Sequence, residues 1–247
     1  MNELYIKRIR RVPGAYDADT YPFCLPALRS LEELSLKSPV TFFVGENGTG
    51  KSTLLEAVAV GYGFNPEGGS RNFSFSTRET HSNLYRYLSL VKGPYRARDG
   101  FFLRAESFYN VASNIDDLEE QPGVAPGLLD SYGGVSLHAQ SHGESFFALM
   151  QNRFRGHGLY ILDEPEAALS PMRQMALLSL MAQLAEDGSQ FLIATHSPIL
   201  TAYPGAVIYE LREDGMRETA YRDTQNFFLT ERFIRNPEKM ARELTGL

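Results

Sequence analysis

VTFFVGENGTGKSTLLEAV, residues 40–58, is the stretch that decides how the rest of this chain is read. Its first six residues are apolar and β-prone without alternation, the pattern of a strand buried on both faces. From Ser52 onward, Leu54, Leu55, Val58 and Ala59 recur at helical spacing. Between strand and helix, GENGTGKS (45–52) fits G-x-x-x-x-G-K-[ST]. Gly45, Gly48 and Gly50 let the backbone turn its N–H groups toward a phosphate. Lys51 adds a point charge on the outer phosphates, and Ser52 offers a hydroxyl to Mg²⁺. The helix that follows aims its positive end at the same anion. A Gly-rich turn with an exposed lysine is the plainer reading, and the strand and helix on either side argue against it.

A second element answers the first. LYILDEP (159–165) reads as another buried strand, ending in Asp163 and Glu164. Acids at the carboxyl end of such a strand stand where open α/β sheets bind their ligands. Asp163 is then expected to hold Mg²⁺ together with Ser52, and Glu164 to orient or deprotonate an attacking water. QFLIATHSP (190–198) is a third buried strand, with His196 at its polar tip.

Composition sets wide bounds. The chain has 247 residues, 43% of them hydrophobic, enough for a sizeable core in one large α/β domain or two small ones. A formal net charge of −6 does not suggest a strongly basic nucleic-acid binder, although a local basic groove needs only clustered Lys and Arg. A single cysteine, Cys24, excludes an internal disulfide framework. The N-terminal residues lack a signal-peptide h-region, and no apolar stretch reaches the ~20 residues of a membrane span. A soluble, cytoplasmic chain without membrane insertion is expected.

Further elements follow from pattern. A strand is expected over 4–10, with Arg8 out of phase, and strands over 84–91 and 100–108 with a turn at Asp99–Gly100 between them. Residues 65–83 and 110–135 read as loop or irregular connection, and 144–153 as a helix. Ser170 and Pro171 read as the N-cap and first position of a helix running to about Glu186. Residues 206–221 read as a hairpin around Asp214–Gly215, and the tail from Thr230 as an amphipathic helix. Strands alternating with helices imply a largely parallel sheet with antiparallel pieces at its edge.

QSHGESFF (140–147) lies between the phosphate loop and LDEP. Ser141 and Glu144 alone fit a capping box at a helix start. Taken in order, GENGTGKS, SHGES, LDEP and ATHSP resemble the ATPase heads of the ABC class. That class includes transporter cassettes and the SMC- and RecF-like ATPases. QSHGE is similar to the class signature LSGGQ or LSGGE, with Gln140 replacing Leu and His142 replacing the first Gly. EAALSP (166–171) occupies the D-loop position. The resemblance covers nearly the whole chain. VTFFVGENGTGKSTLLEAV is especially like the SMC/RecF branch, and the chain as a whole looks like a small stand-alone bacterial ATPase.

The resemblance implies an α/β P-loop NTPase fold with a mostly parallel sheet, an antiparallel β edge and a helical signature lobe. It implies one ABC-type domain over 1–247, with the lobe at about 65–157 inserted in the nucleotide-binding core. ATP and Mg²⁺ are the implied cofactors. Gly45, Asn47, Gly48, Gly50, Lys51, Ser52 and Thr53 are the implied nucleotide contacts, with Lys51, Glu164 and His196 as catalytic groups. Ser141, Gly143 and Glu144 would act in trans on the ATP of a second copy in an ATP-dependent homodimer. The class places a Gln after a strand between the first two motifs. Glu106, a candidate third metal ligand, is the favoured equivalent here, and Gln121 is the other. Tyr16, Tyr21 and Phe23 lie where an adenine-stacking aromatic is expected, and fit a core role equally.

The implied activity is ATP hydrolysis coupled to dimer closing and opening, to drive or regulate an unknown protein partner. DNA maintenance or defence is one setting. The nucleotide-binding subunit of a transporter and a slow regulatory switch are the others. The stretch between Ser52 and Ser141 is too short for the long coiled coil of SMC proteins. Nucleic acid remains open as a partner, although KRIRR (7–11) and YRARDGFFLR (95–104) read more readily as solvated arginines on strands.

Overall fold

The computed structural model describes residues 4–14, 17, 19–70, 82–106, 108 and 142–246. Its elements in chain order are β1 (Ile6–Arg11), α1 (Pro26–Arg29), β2 (Glu33–Ser35), β3 (Val40–Gly45), α2 (Lys51–Tyr62) and β4 (Gly69–Ser70). There follow β5 (Leu88–Lys92), β6 (Asp99–Arg104), α3 (His142–Arg153), β7 (Gly158–Asp163), α4 (Pro171–Glu186) and β8 (Gln190–Ala194). The chain closes with β9 (Val207–Arg212), β10 (Gly215–Glu218), α5 (Gln225–Arg235) and α6 (Pro237–Thr245).

A seven-stranded sheet runs in the order β10-β9-β3-β8-β7-β6-β4. Its five central strands, β9 to β6, are parallel to one another, and β10 and β4 add antiparallel edges. The expected fold class is therefore observed: α/β, with a mostly parallel sheet and antiparallel pieces at its rim. A second, three-stranded antiparallel sheet in the order β2-β1-β5 was not anticipated.

The central strands are apolar throughout because both faces are covered. Phe43, Phe102, Ile161 and Leu192 face a core shared with α2 and the small sheet. Their neighbours Phe42, Phe101, Tyr160 and Phe191 face a second core, under α3 and α4. Helix boundaries follow local chemistry. Ser170 caps α4 by accepting the Arg173 N–H at 3.4 Å, ahead of Pro171, as expected. Thr224 caps α5 in the same way, so the tail helix begins before Thr230.

Two expectations are corrected. Residues 84–91 are not one strand. Ser82 caps a tight turn at Asn83–Tyr87 that buries Leu84, and only Leu88–Lys92 joins a sheet. Asp99–Gly100 is not a turn, because both residues pair with Gly158 and Leu159 inside β6–β7. Asp99 is held there by Arg153 at 2.8 Å and the Tyr160 hydroxyl at 2.9 Å. Gly100 is needed for space, since a Cβ would lie 2.8 Å from the Phe64 ring and 2.9 Å from the Leu159 carbonyl. In β1, a register irregularity between Ile6 and Arg8 turns Ile9 inward and leaves Arg8 outside. That is the physical basis of its broken alternation. Of the expected lobe at 65–157, residues 71–81, 107 and 109–141 lie outside the described residues.

A buried side chain of the main sheet ties the small sheet to it. Gln190, 1% exposed, accepts the Tyr5 and Ile6 N–H groups at 2.9 Å each and donates to the Ile6 carbonyl at 2.8 Å. An apolar residue there would leave three buried backbone groups without these partners. Gln190→Leu should cost about 2–4 kcal/mol, read as a lower urea midpoint with an unchanged slope. An unchanged midpoint would mean that water or a shifted strand takes over these bonds.

Candidate functional site

The parallel register brings four strand ends to one edge. Asp163 pairs with Ala194 on one side and Arg104 on the other, and Ala194 pairs with Phe43, two residues before Gly45. The sheet thus delivers the 45–52 loop, Asp163–Glu164, Thr195–His196 and Arg104 to the same rim.

The loop is built as its residue types require. Gly45, Gly48 and Gly50 have φ of 140°, 79° and 102°, in the region that favours glycine. Gly45 also meets a neighbour closely, since a Cβ there would lie 2.3 Å from the Leu211 carbonyl. Lys51, 3% exposed, reaches back inside the loop and donates to the Gly45 and Glu46 carbonyls at 2.9 Å each. Burial lowers its pKa, while Glu164, Asp163, Glu166 and Glu46 oppose that shift. Asn47 lies exposed in the loop, and Thr53 on α2 shares a hydrogen bond of 2.8 Å with the Tyr21 hydroxyl. Of the aromatic candidates, Tyr21 is exposed beside the loop's helix, whereas Phe23 is buried edge-on against Tyr87. Tyr16 lies outside the described residues.

Ser52 donates its hydroxyl to Asp163 Oδ1 at 2.9 Å. Both line a cavity of about 380 Å³ with Ala105, Glu106, Glu164 and Ala167. Among the described residues no group of three or more His, Cys, Asp or Glu could hold a metal by itself. A hydroxyl and a carboxylate beside an anion-binding loop nonetheless fit Mg²⁺, which takes one or two protein oxygens and completes its shell with phosphates and water. Glu106 lies on the rim of this cavity with its side chain 87% exposed. Gln121, the alternative, is outside the described residues.

Glu164 follows β7 in a left-handed conformation, φ 51°, which is uncommon for a residue with a side chain and marks local strain. Its N–H is tied to the Ala194 carbonyl at 2.9 Å. Its Oε1 lies 3.6 Å from His196 Nε2, a buried nitrogen without a hydrogen-bond partner.

Two residues at this rim were missed in the sequence. Glu166 accepts the Thr195 hydroxyl at 2.7 Å and the His196 N–H, and so fixes the turn that carries the histidine. Arg104 is no solvated strand arginine. It is 19% exposed and pairs with Glu56 at 2.9 Å, while its Nε lies 3.5 Å from Asp163 Oδ2. A charged residue ending the apolar GFFLR run was the available signal. By contrast, Arg8 and Arg10 are exposed and pair with Glu33, as surface arginines do.

The QSHGES stretch is described from its third residue, and Ser141 lies outside. Gly143 packs against the loop after Glu164, where a Cβ would lie 2.7 Å from the Ala168 carbonyl. Glu144 pairs with Arg173 of α4 at 3.4 Å. Within one copy, therefore, both residues are engaged with the D-loop segment and the helix after it.

Burial raises Asp163 to about 6 from an ordinary 3.8, against the opposing pull of Arg104 and the Ser52 hydroxyl. Between those values the folded chain holds a proton that the unfolded chain has released. Stability without metal therefore falls as pH rises through about 6. Asp163→Asn escapes this loss. In EDTA, its melting temperature relative to the parent should climb between about pH 4 and pH 6 and level off at higher pH. A pH-independent difference would show that the carboxylate is already ionised at the lower pH.

Comparisons with known proteins bear on the fold and the family. A family model described as "AAA domain" matches residues 24–103, and one described as "AAA domain, putative AbiEii toxin, Type IV TA system" matches 127–202. The chain is 30% identical over 187 residues to a Streptomyces avermitilis protein described as "Putative ABC transporter ATP-binding protein", covering 71% of this chain but only 32% of that protein. It therefore spans about a third of that relative's length. It is also 30% identical over 173 residues to the thiamine import ATP-binding protein ThiQ of Cereibacter sphaeroides, 63% of this chain and 69% of that one. In fold it is similar to cbiO1 of Clostridium perfringens, part of the ABC transporter complex cbiONQ. That match has a TM-score of 0.50 and 17% identity, over 99% of this chain and 100% of that one. With the phosphate loop, the acid-ended strand and the histidine gathered on one sheet edge, and with the ThiQ relative 30% identical and matched over 69% of its own length, the chain belongs to the ABC-type P-loop ATPases.

Proposed function

We propose that this chain binds ATP with Mg²⁺ and hydrolyses it, and that two copies close over two ATP molecules to drive or regulate a partner protein. The observation that carries the reading is Glu164. Its carboxylate lies 3.6 Å from His196 Nε2, on the residue after the one that takes the Ser52 hydroxyl. The 45–52 loop and Lys51 would hold the phosphates. Ser52 and Asp163 would hold Mg²⁺, which when bound neutralises charge on the outer phosphate oxygens. Glu164 would orient the attacking water and take its proton, and His196 would fix the Glu164 carboxylate and meet the outer phosphate. The start of α3, with Ser141 and Gly143, would supply donors to the ATP of the second copy.

A stand-alone ATPase acting on a soluble partner, in DNA maintenance or defence, is the reading we put first. The transporter reading is favoured by the names of the two curated relatives, both ATP-binding proteins of transport systems. Co-purification with a membrane protein would decide for it. No helix among the described residues is long and apolar enough to cross a membrane.

Glu164→Gln should keep ATP affinity within about threefold and lower hydrolysis by about 10²–10⁴. By light scattering it should convert from monomer to dimer only with ATP and Mg²⁺. Undiminished hydrolysis would remove Glu164 from the reaction. ATP binding without dimerisation would overturn the trans role of Ser141 and Gly143 in a homodimer.

A further inference from the structure

Asp163 is asked to hold a cation, and it already has one beside it. Its Oδ1 takes the Ser52 hydroxyl at 2.9 Å, and its Oδ2 lies 3.5 Å from Arg104 Nε. That nitrogen is buried and makes no hydrogen bond. Arg104 is the register partner of Asp163 across β6 and β7, so the sheet itself fixes their proximity. The far end of the guanidinium is anchored to Glu56 Oε2 at 2.9 Å. Glu56 is itself braced, its Oε1 accepting the Ser82 N–H at 2.9 Å. It stands one helical turn after Ser52 on α2, on the same face. A third carboxylate, Glu106, lies 3.6 Å from the guanidinium at the solvent side. An arginine tethered by a buried acid and kept nearly out of water stays charged and stays in place.

We infer that Arg104 is a positioning residue that makes metal loading conditional on nucleotide. It serves as the counter-ion of Asp163 when no metal is bound, and its charge works against a divalent cation on that carboxylate. The repulsion is strong in a partly buried site and is offset once the phosphates add their negative charge. The cation then enters with the nucleotide rather than ahead of it. This inference rests on the nucleotide and metal roles proposed above.

The test is Mn²⁺ binding, followed by electron paramagnetic resonance, to nucleotide-free protein. Arg104→Gln should bind Mn²⁺ at least about tenfold more tightly than the parent. Arg104→Lys, which keeps the charge, should stay near the parent value. Nucleotide binding in EDTA, read with a fluorescent ATP analogue, should be nearly unchanged in Arg104→Gln. If that variant unfolds because Glu56 is left unpaired, the Arg104→Gln/Glu56→Gln double variant removes both charges and is measured instead. Unchanged or weaker Mn²⁺ binding overturns the inference. So does loss of metal-free nucleotide binding, which would make Arg104 a phosphate ligand. If the parent takes up neither the analogue nor Mn²⁺ with ATP, the nucleotide reading fails and the inference with it. If the parent binds both and the variant matches it, only the role of Arg104 fails.

Discussion

Parallel pairing of β3, β8, β7 and β6 is the constraint on which the site depends. Parallel strands end on the same side of the sheet, so the residues that follow each strand meet without further folding instructions. Here the register aligns Arg104, Asp163 and Ala194 in one row, with Gly45 leaving the sheet close by. Such a sheet needs apolar cover on both faces. The two cores either side of β3 provide it, and the small sheet extends one of them. Gln190 links that sheet to the main one by satisfying the backbone of Tyr5 and Ile6.

Electrostatics at this rim is a balance among many acids and two cations. Asp163, Glu164, Glu166, Glu46, Glu56 and Glu106 stand near Lys51 or Arg104. Lys51 is tied to loop carbonyls and Arg104 to Glu56, so each cation has a fixed seat. Burial raises the Asp163 pKa even with Arg104 alongside. A site that disfavours its own carboxylate charge is well matched to a ligand that brings a cation.

One short loop connects three features that lie far apart in the chain. Glu164 faces His196, Glu166 holds the turn carrying Thr195 and His196, and Ala168 packs on Gly143 at the head of α3. Glu144 extends that contact to Arg173 on α4. Gly143 is thus required by packing within one copy, whatever it does for a second. A plain capping motif would not call for glycine at that position, whereas close approach to a backbone carbonyl does.

The sequence by itself determined the strand–loop–helix at 40–62, the acid-ended strand at 158–163 and the histidine after 190–194. Each is signalled by a local pattern: an unbroken apolar run, a fixed glycine spacing, or a polar residue at a strand end. It also determined that the sheet would be mostly parallel, since strands and helices alternate. What it left undecided were features set by partners distant in the chain. The DG pair at 99–100 reads as a turn until Arg153, Tyr160 and Phe64 pack against it. Arg104 reads as a surface charge until Glu56 and Asp163 enclose it. Gln190 reads as one more strand residue until the β1 backbone arrives on top of it. In each case the side chain's role is fixed by the charge or hydrogen-bond donor that tertiary structure places opposite it, and no local spacing encodes that.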